Sequence, residues 1–318
     1  MRAAIVGGAG FVGSHVVKKF LDNDYDVDVL DAYHYYGFPE AWYANNLSYR
    51  REELLDGATL IRCDVLDIPN LYGTIRHGSY DYIVNLAALP IANQSGRARG
   101  EASSALQGGI NIMEAIVGTN VLRYTYISSS MAYGNYQTVP VPEDSLMNPV
   151  NIYGGLKLAG EVIVKTYSRV LEIPYTIVRP AAAYGPSDCN MRVVQKFLHQ
   201  AFAGEPVTVV VGEDMVMDFT FVKDTAQGIF LATTMNSGEG QTFNITRGQG
   251  RSLEELVDII KLYFEDLEVI EIPDKNIRPK RGASDISKAN MYLQYRPQWT
   301  LEDGVAAYVE YLYENLGG

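Results

Sequence analysis

The chain has 318 residues, 47% hydrophobic and 20% charged, a balance that suits one large α/β domain or two intimate lobes and excludes a fibrous, low-complexity or disordered protein. Asp and Glu outnumber Lys and Arg by 38 to 26, for a formal net charge of −12. That sign repels nucleic acid and anionic membranes, and it obliges any phosphorylated ligand to find a local positive or hydrogen-bonding cradle.

Cys63 and Cys189 are too few for a disulfide framework or a zinc knuckle, so a reducing cytoplasm is the simplest setting. His15, His34, His77 and His199 show no ligand spacing, and no metal is expected. The run from Met1 to Gly7 reads as a core strand rather than a leader, and no apolar run approaches the roughly 18 residues of a membrane span.

In chain order, short apolar runs alternate with amphipathic stretches, the pattern of βα units on a parallel sheet. Strands are expected at 3–6, 27–30, 60–63, 82–86, 124–128 and 175–179, and helices at 10–23, 103–118 and 152–171. The aromatic-rich stretch from Tyr33 to Tyr49 reads as a lid, as a wall for sugar and cofactor, or as a surface hairpin packed on its own rings. Past Pro180 the chain turns loop-rich, with helices expected at 192–203 and 225–234 and another opening at Ser252, which forms a capping box with Glu255. The fold class is therefore α/β: a doubly wound parallel sheet in residues 1–179 and a smaller, interleaved C-terminal lobe in residues 180–318.

Gly7, Gly8, Ala9, Gly10, Phe11, Val12 and Gly13 follow the first strand and open the first helix, where bare backbone can approach a pyrophosphate. Asp31 ends the second strand, 18 residues past Gly13. A carboxylate there accepts both ribose hydroxyls of NAD and repels the 2′-phosphate of NADP; a strand-end Asp capping a turn is the structural alternative. Asp64 and Val65 after the third strand are placed to reach the adenine, and Leu86, Ala87 and Ala88 after the fourth to line the cofactor; both segments are also ordinary strand C-termini.

Tyr153 and Lys157 stand four residues apart, on one face of the helix that begins there. A free tyrosine has a pKa near ~10, too high for a base at neutral pH; Lys157 is placed to lower it and to hydrogen-bond the nicotinamide ribose. Ser128, Ser129 and Ser130 end the fifth strand, where hydroxyls can orient a substrate alcohol toward Tyr153.

With these features together, the sequence resembles the extended short-chain dehydrogenase/reductase family, in particular its nucleotide-sugar epimerases and dehydratases. The resemblance rests on Gly7 to Gly13, Ser128 to Gly134, Asn148-Pro149 leading to Tyr153 and Lys157, and Arg179-Pro180 to Tyr184-Gly185-Pro186. Asp218-Phe219 with Val222 and Asp224, and Asp285 to Ala289 before Tyr295-Arg296-Pro297, extend it nearly end to end. It implies a Rossmann lobe, a small substrate lobe, bound NAD and a homodimer through a four-helix bundle. It also implies that the catalytic hydroxyl is Ser129, counted back from Tyr133-Gly134.

The departures from the family pattern shape the expected reaction. Dehydratases place Asp and Glu directly after the catalytic hydroxyl; here Ser130 and Met131 stand there, so elimination of water is not expected. Epimerisation of a nucleotide-diphosphate sugar, most simply at C4, needs only NAD, Tyr153 and Ser129: hydride leaves a carbinol carbon, the ketone turns over, and hydride returns to the other face. Ala182 replaces an Asn that holds the sugar-nucleotide phosphates in many relatives, Met217 an Arg, and Ala105 an Asn of the proton relay. Arg192, Arg278 and Arg281 lie in segments that border the substrate in relatives and are the candidate replacements, with Ser130 beside the sugar; solvated surface charge is the alternative for each arginine. A dehydrogenase of a non-nucleotide sugar, sugar acid or hydroxy amino acid is the alternative, and a non-catalytic NAD-binding sensor a second.

Overall fold

Seven parallel strands form the central sheet of the computed structural model, which describes residues 1–34, 40–88, 99–211, 215–273 and 279–316. The first six are β1 (Arg2–Val6), β2 (Asp26–Asp31), β3 (Thr59–Arg62), β4 (Tyr82–Asn85), β5 (Arg123–Ile127) and β6 (Tyr175–Pro180), within a residue of the apolar runs at either end. Two short strands follow, β7 (Ala183–Tyr184) and β9 (Thr220–Phe221), with β8 (Val207–Val211) between them; β10 (Gln241–Ile245) and β11 (Val269–Pro273) complete the set. The sheet order is β10-β6-β5-β4-β1-β2-β3. Its seventh strand therefore comes from far beyond β6 in the chain and adds to the β6 edge, Gln241 opposite Thr176.

Helices cover both faces, which is why the central strands read as unbroken apolar runs rather than alternating ones. On one face the Phe11–Leu21 and Val222–Thr234 helices pack together, and their core draws Ala226, Ile229, Ala232, Phe243, Ile245, Ala289 and Leu293 from the second half of the chain. On the other face lie the helices Ile68–Gly78, Arg99–Ile116 and Ile152–Leu171, over Ile83, Tyr124 and Ile177. The sheet order reverses between β1 and β4, and the crevice beyond their C-terminal ends is where such folds place a ligand.

A second core gathers Tyr184, Phe197, Leu198, Phe221, Leu256, Ile260, Val305, Tyr308 and Leu312 beneath the β7–β9 and β8–β11 pairs. Its helices are Val193–Phe202, Leu253–Lys261 and Leu301–Leu316, and the second opens on the capping box expected of Ser252 and Glu255. The aromatic-rich stretch is helical from Glu40 to Tyr49 and passes into a π-helical turn over Arg50–Leu54, in place of the hairpin considered above. No helix among the described residues is long and apolar enough to cross a membrane, and among them no group of three His, Cys, Asp or Glu could hold a metal ion.

Candidate active site

The glycine-rich turn leaves β1 with Gly7 at φ 77°, and a Cβ on Gly7 would come 2.9 Å from the Ala87 nitrogen. A Cβ on Gly13 would collide with the Gly7 carbonyl. Bare backbone is thus a requirement of the turn, and it leaves room for a bulky anion at the start of the helix. Gly10 caps that helix in extended conformation without a side-chain bond, so the first amides, at Phe11, Val12 and Gly13, point outward as donors.

Asp31 accepts from the Ala9 amide (3.0 Å) and the Tyr33 amide (2.8 Å), one bond to each oxygen. Burial pushes its carboxyl up while these two bonds hold it back, and each oxygen retains a lone pair for a ribose hydroxyl. Asp64 accepts from the Leu66 amide (2.9 Å) and meets His34 Nε2 at 3.2 Å, and the Val65 carbonyl accepts from Asn111 (2.8 Å). Leu86 donates to Val6 (2.8 Å) and Ala87 to the Asn85 side chain (3.1 Å), which holds the segment running to Ala88 against the glycine turn. These residues fit NAD: a cradle of bare amides for the pyrophosphate and a carboxylate at the ribose end.

Tyr153 and Lys157 lie in the first two turns of the Ile152–Leu171 helix, which Asn151 caps by accepting from the Gly154 amide (2.8 Å). Ser129 follows β5 and caps a short 3-10 turn, accepting from the Met131 amide at 3.2 Å. Burial pushes the Tyr153 hydroxyl above its ordinary range; the Arg192 guanidinium and the Ser129 side chain, hydrogen-bonded to the phenol, pull it back. The cation expected to do this, Lys157, instead donates to the Ile127 carbonyl (2.7 Å) and lies 5.7 Å over the Tyr153 ring, beside its face rather than its oxygen. Burial lowers the Lys157 ammonium to about 8, against the opposing charge of Glu161.

Arg192 caps the Val193–Phe202 helix, stands 5.2 Å over the Phe11 ring and reaches the Asp188 carboxylate at 3.6 Å. It thus stands where the dinucleotide turn meets Tyr153. Arg281 donates to the Met131 sulfur (3.6 Å), and its charge also acts on Tyr136, whose hydroxyl contacts Ser130. Arg278 lies outside the described residues. Neither Ser130 nor Met131 presents an ionisable group, as their identities require. Arg251, paired through its backbone with Met217, is tied to Glu255 (2.9 Å) and Glu302 (2.7 Å). Cys189 is buried and its thiol is pushed up, which suits packing rather than nucleophilic attack.

Two groups escaped the sequence reading. Glu161 accepts from Ser128 (2.6 Å) and takes a bidentate contact from Arg179 (2.8 and 2.7 Å), bracing the serine segment against the helix of Tyr153. Its spacing of four from Lys157 was a usable signal. Arg50, a buried arginine of the π-helical turn, joins Ala9 to Ser187 and Cys189; its partners are too distant in sequence to have left one.

A doubly wound sheet with a glycine-rich first turn, a strand-end Asp and a Ser, Tyr and Lys together defines an extended short-chain dehydrogenase/reductase that uses NAD. The chain belongs to the NAD dependent epimerase/dehydratase family, whose profile matches residues 3–246. It is 28% identical to a low-salt glycan biosynthesis protein of Haloferax volcanii and 27% identical to a putative UDP-glucose 4-epimerase of Methanocaldococcus jannaschii, covering 98% of both chains in each case. In three dimensions it is similar to the UDP-glucose 4-epimerase of Thermotoga maritima bound to UDP-glucose, with TM-score 0.89, 28% identity and 99% and 100% of the two chains covered. The UDP-glucuronic acid 4-epimerase of Bacillus cereus, in complex with UDP-glucuronic acid and NAD, gives TM-score 0.89 at 27% identity, over 99% of each chain.

Proposed function

We propose that the protein interconverts the C4 epimers of a nucleotide-diphosphate sugar. The observation that carries this reading is the meeting of Ser129, Tyr153 and Arg192 beside Phe11 of the glycine turn, with no acid or base at Ser130 and Met131 to drive elimination. NAD, when bound, supplies a reversible hydride acceptor. Tyr153 takes the proton of the sugar hydroxyl and later returns it, Ser129 holds that oxygen, and Lys157 supports the nicotinamide ribose. Gly7, Gly10, Phe11, Val12 and Gly13 hold the pyrophosphate, Asp31 the ribose, and Asp64, Val65, Leu86, Ala87 and Ala88 line the rest. Arg192 and Arg281, with Arg278 and Ser130, hold the substrate.

The test is incubation with UDP-glucose, UDP-glucuronic acid and UDP-N-acetylglucosamine, with products separated and weighed. An isomer of unchanged mass is expected from at least one of them, and Tyr153→Phe should cut turnover by about a hundredfold or more. A product lighter by one water, or NAD reduction by a hydroxy acid with no nucleotide sugar converted, would overturn the reading. We also propose a homodimer. Val162 and Val170, 56% and 71% exposed on the outer face of the Ile152–Leu171 helix, support it as an apolar surface awaiting a second copy.

A further inference from the structure

Arg50 is 4% exposed, and its four acceptors are all uncharged. Nη1 donates to the Ala9 carbonyl of the glycine turn (3.1 Å). Nε donates to Ser187 Oγ (3.3 Å), and Nη2 to the Ser187 carbonyl and to Cys189 Sγ (3.3 Å). A guanidinium buried on uncharged acceptors is costly, and lysine is a poor substitute, since its three donors radiate from one nitrogen whereas the guanidinium spreads five over three.

The far side of this bridge is the strap of residues 185–191, which ends at Arg192. Ser187 (φ 68°) and Met191 (φ 55°) hold left-handed conformations there, which ordinary residues keep only when their surroundings enforce them. The strap also carries Asp188, fully buried, which faces Arg192 at 3.6 Å. His15 adds a second tie, donating from Nε2 to the Pro186 carbonyl at 3.2 Å.

We propose that Arg50 is a positioning residue that clamps the 185–191 strap to the dinucleotide turn and thereby fixes where Arg192 stands against Tyr153. Its charge acts on the carboxylates at both ends of this path, Asp31 at the ribose side and Asp188 beside Arg192. Because Arg192 is the main influence holding the Tyr153 hydroxyl down, a loosened strap leaves less of the phenolate form at a given pH. The kinetic part of this inference rests on Tyr153 being the base of the proposed epimerase.

Arg50→Met and Arg50→Lys are compared with the unmodified protein and with Arg192→Met by two measurements. The first is amide hydrogen exchange without substrate. Residues 185–191 should exchange about tenfold faster or more in both Arg50 variants, while the Ile152–Leu171 helix stays protected, which also shows that the variants fold. The second is kcat against pH. The acid limb should move up by about one pH unit in Arg50→Met and in Arg192→Met, and the double variant should move little further than either alone. Arg50→Lys should fail to restore the limb, and it serves both measurements where Arg50→Met does not fold. Unchanged exchange in the strap overturns the clamp, and a lower kcat with an unmoved limb overturns the link to Tyr153. If the unmodified protein converts no nucleotide sugar, the epimerase reading falls while the exchange measurement still decides the clamp.

Discussion

Ala182 sits at φ 32°, where a β-carbon is disfavoured and asparagine is one of the few tolerated side chains. Alanine, with no polar side chain to bond the neighbouring backbone, holds that conformation at a cost. Ala182→Asn should stabilise the fold by about 0.5–1 kcal/mol, visible as a rise of about 1–2 °C in the thermal midpoint. His15 is buried with Nε2 on the Pro186 carbonyl. Burial lowers its imidazole to about 3, so between that value and an ordinary ~6.5 the unfolded chain binds the extra proton. The stability that this neutral ring contributes is therefore complete above pH ~6.5 and is lost as pH falls from there toward about 3. His15→Phe should flatten that decline, by up to about 1.4 kcal/mol per pH unit, in denaturant unfolding followed across pH. At this scale the sequence is legible where partners share a helix or a strand end: spacing singles out Asp31, Tyr153 and Lys157 as candidates, whereas Ser129 is chosen among Ser128, Ser129 and Ser130 only by the family resemblance. Arg50 is not singled out at all, because Ala9 and Ser187 lie 41 and 137 residues away and only the tertiary fold brings them to one guanidinium.

The Ile152–Leu171 helix places the Tyr153 ring at its second residue, so its start matters more than its length. Removing the cap with Asn151→Ala leaves the Gly154 amide without its acceptor. This should cost about 1 kcal/mol in denaturant midpoint analysis, and kcat should fall further than stability alone accounts for, since the ring moves with the frayed turn. This helix, six strands and the Ser252 capping box are readable because each shows a helical period, an unbroken apolar run or a cap. The helix over Glu40–Tyr49 is not: its rings and polar residues, including Trp42, Tyr43, Asn45 and Asn46, follow neither a helical nor a strand alternation. Tyr49 at its end packs edge-on against Tyr311 with centroids 4.8 Å apart, so its stability comes from the C-terminal helix rather than from its own pattern. β10 was missed for a related reason, since a five-residue strand past a change in chain character carries too little local signal to be assigned to a distant sheet.

For the whole molecule, the proposed homodimer makes a direct prediction: Val162→Asp should turn a dimeric mass in light scattering into a monomeric one, whereas an unchanged dimer would place the interface elsewhere. β6 has β5 on one side from its own neighbourhood, but its other side is filled by β10, which is synthesised some 60 residues later. During translation a long segment thus emerges while the sheet still presents an open row of backbone donors and acceptors along Tyr175–Pro180. The nascent chain is most vulnerable to mispairing with its neighbours in that interval, and a fragment truncated before Gln241 would retain that hazard permanently.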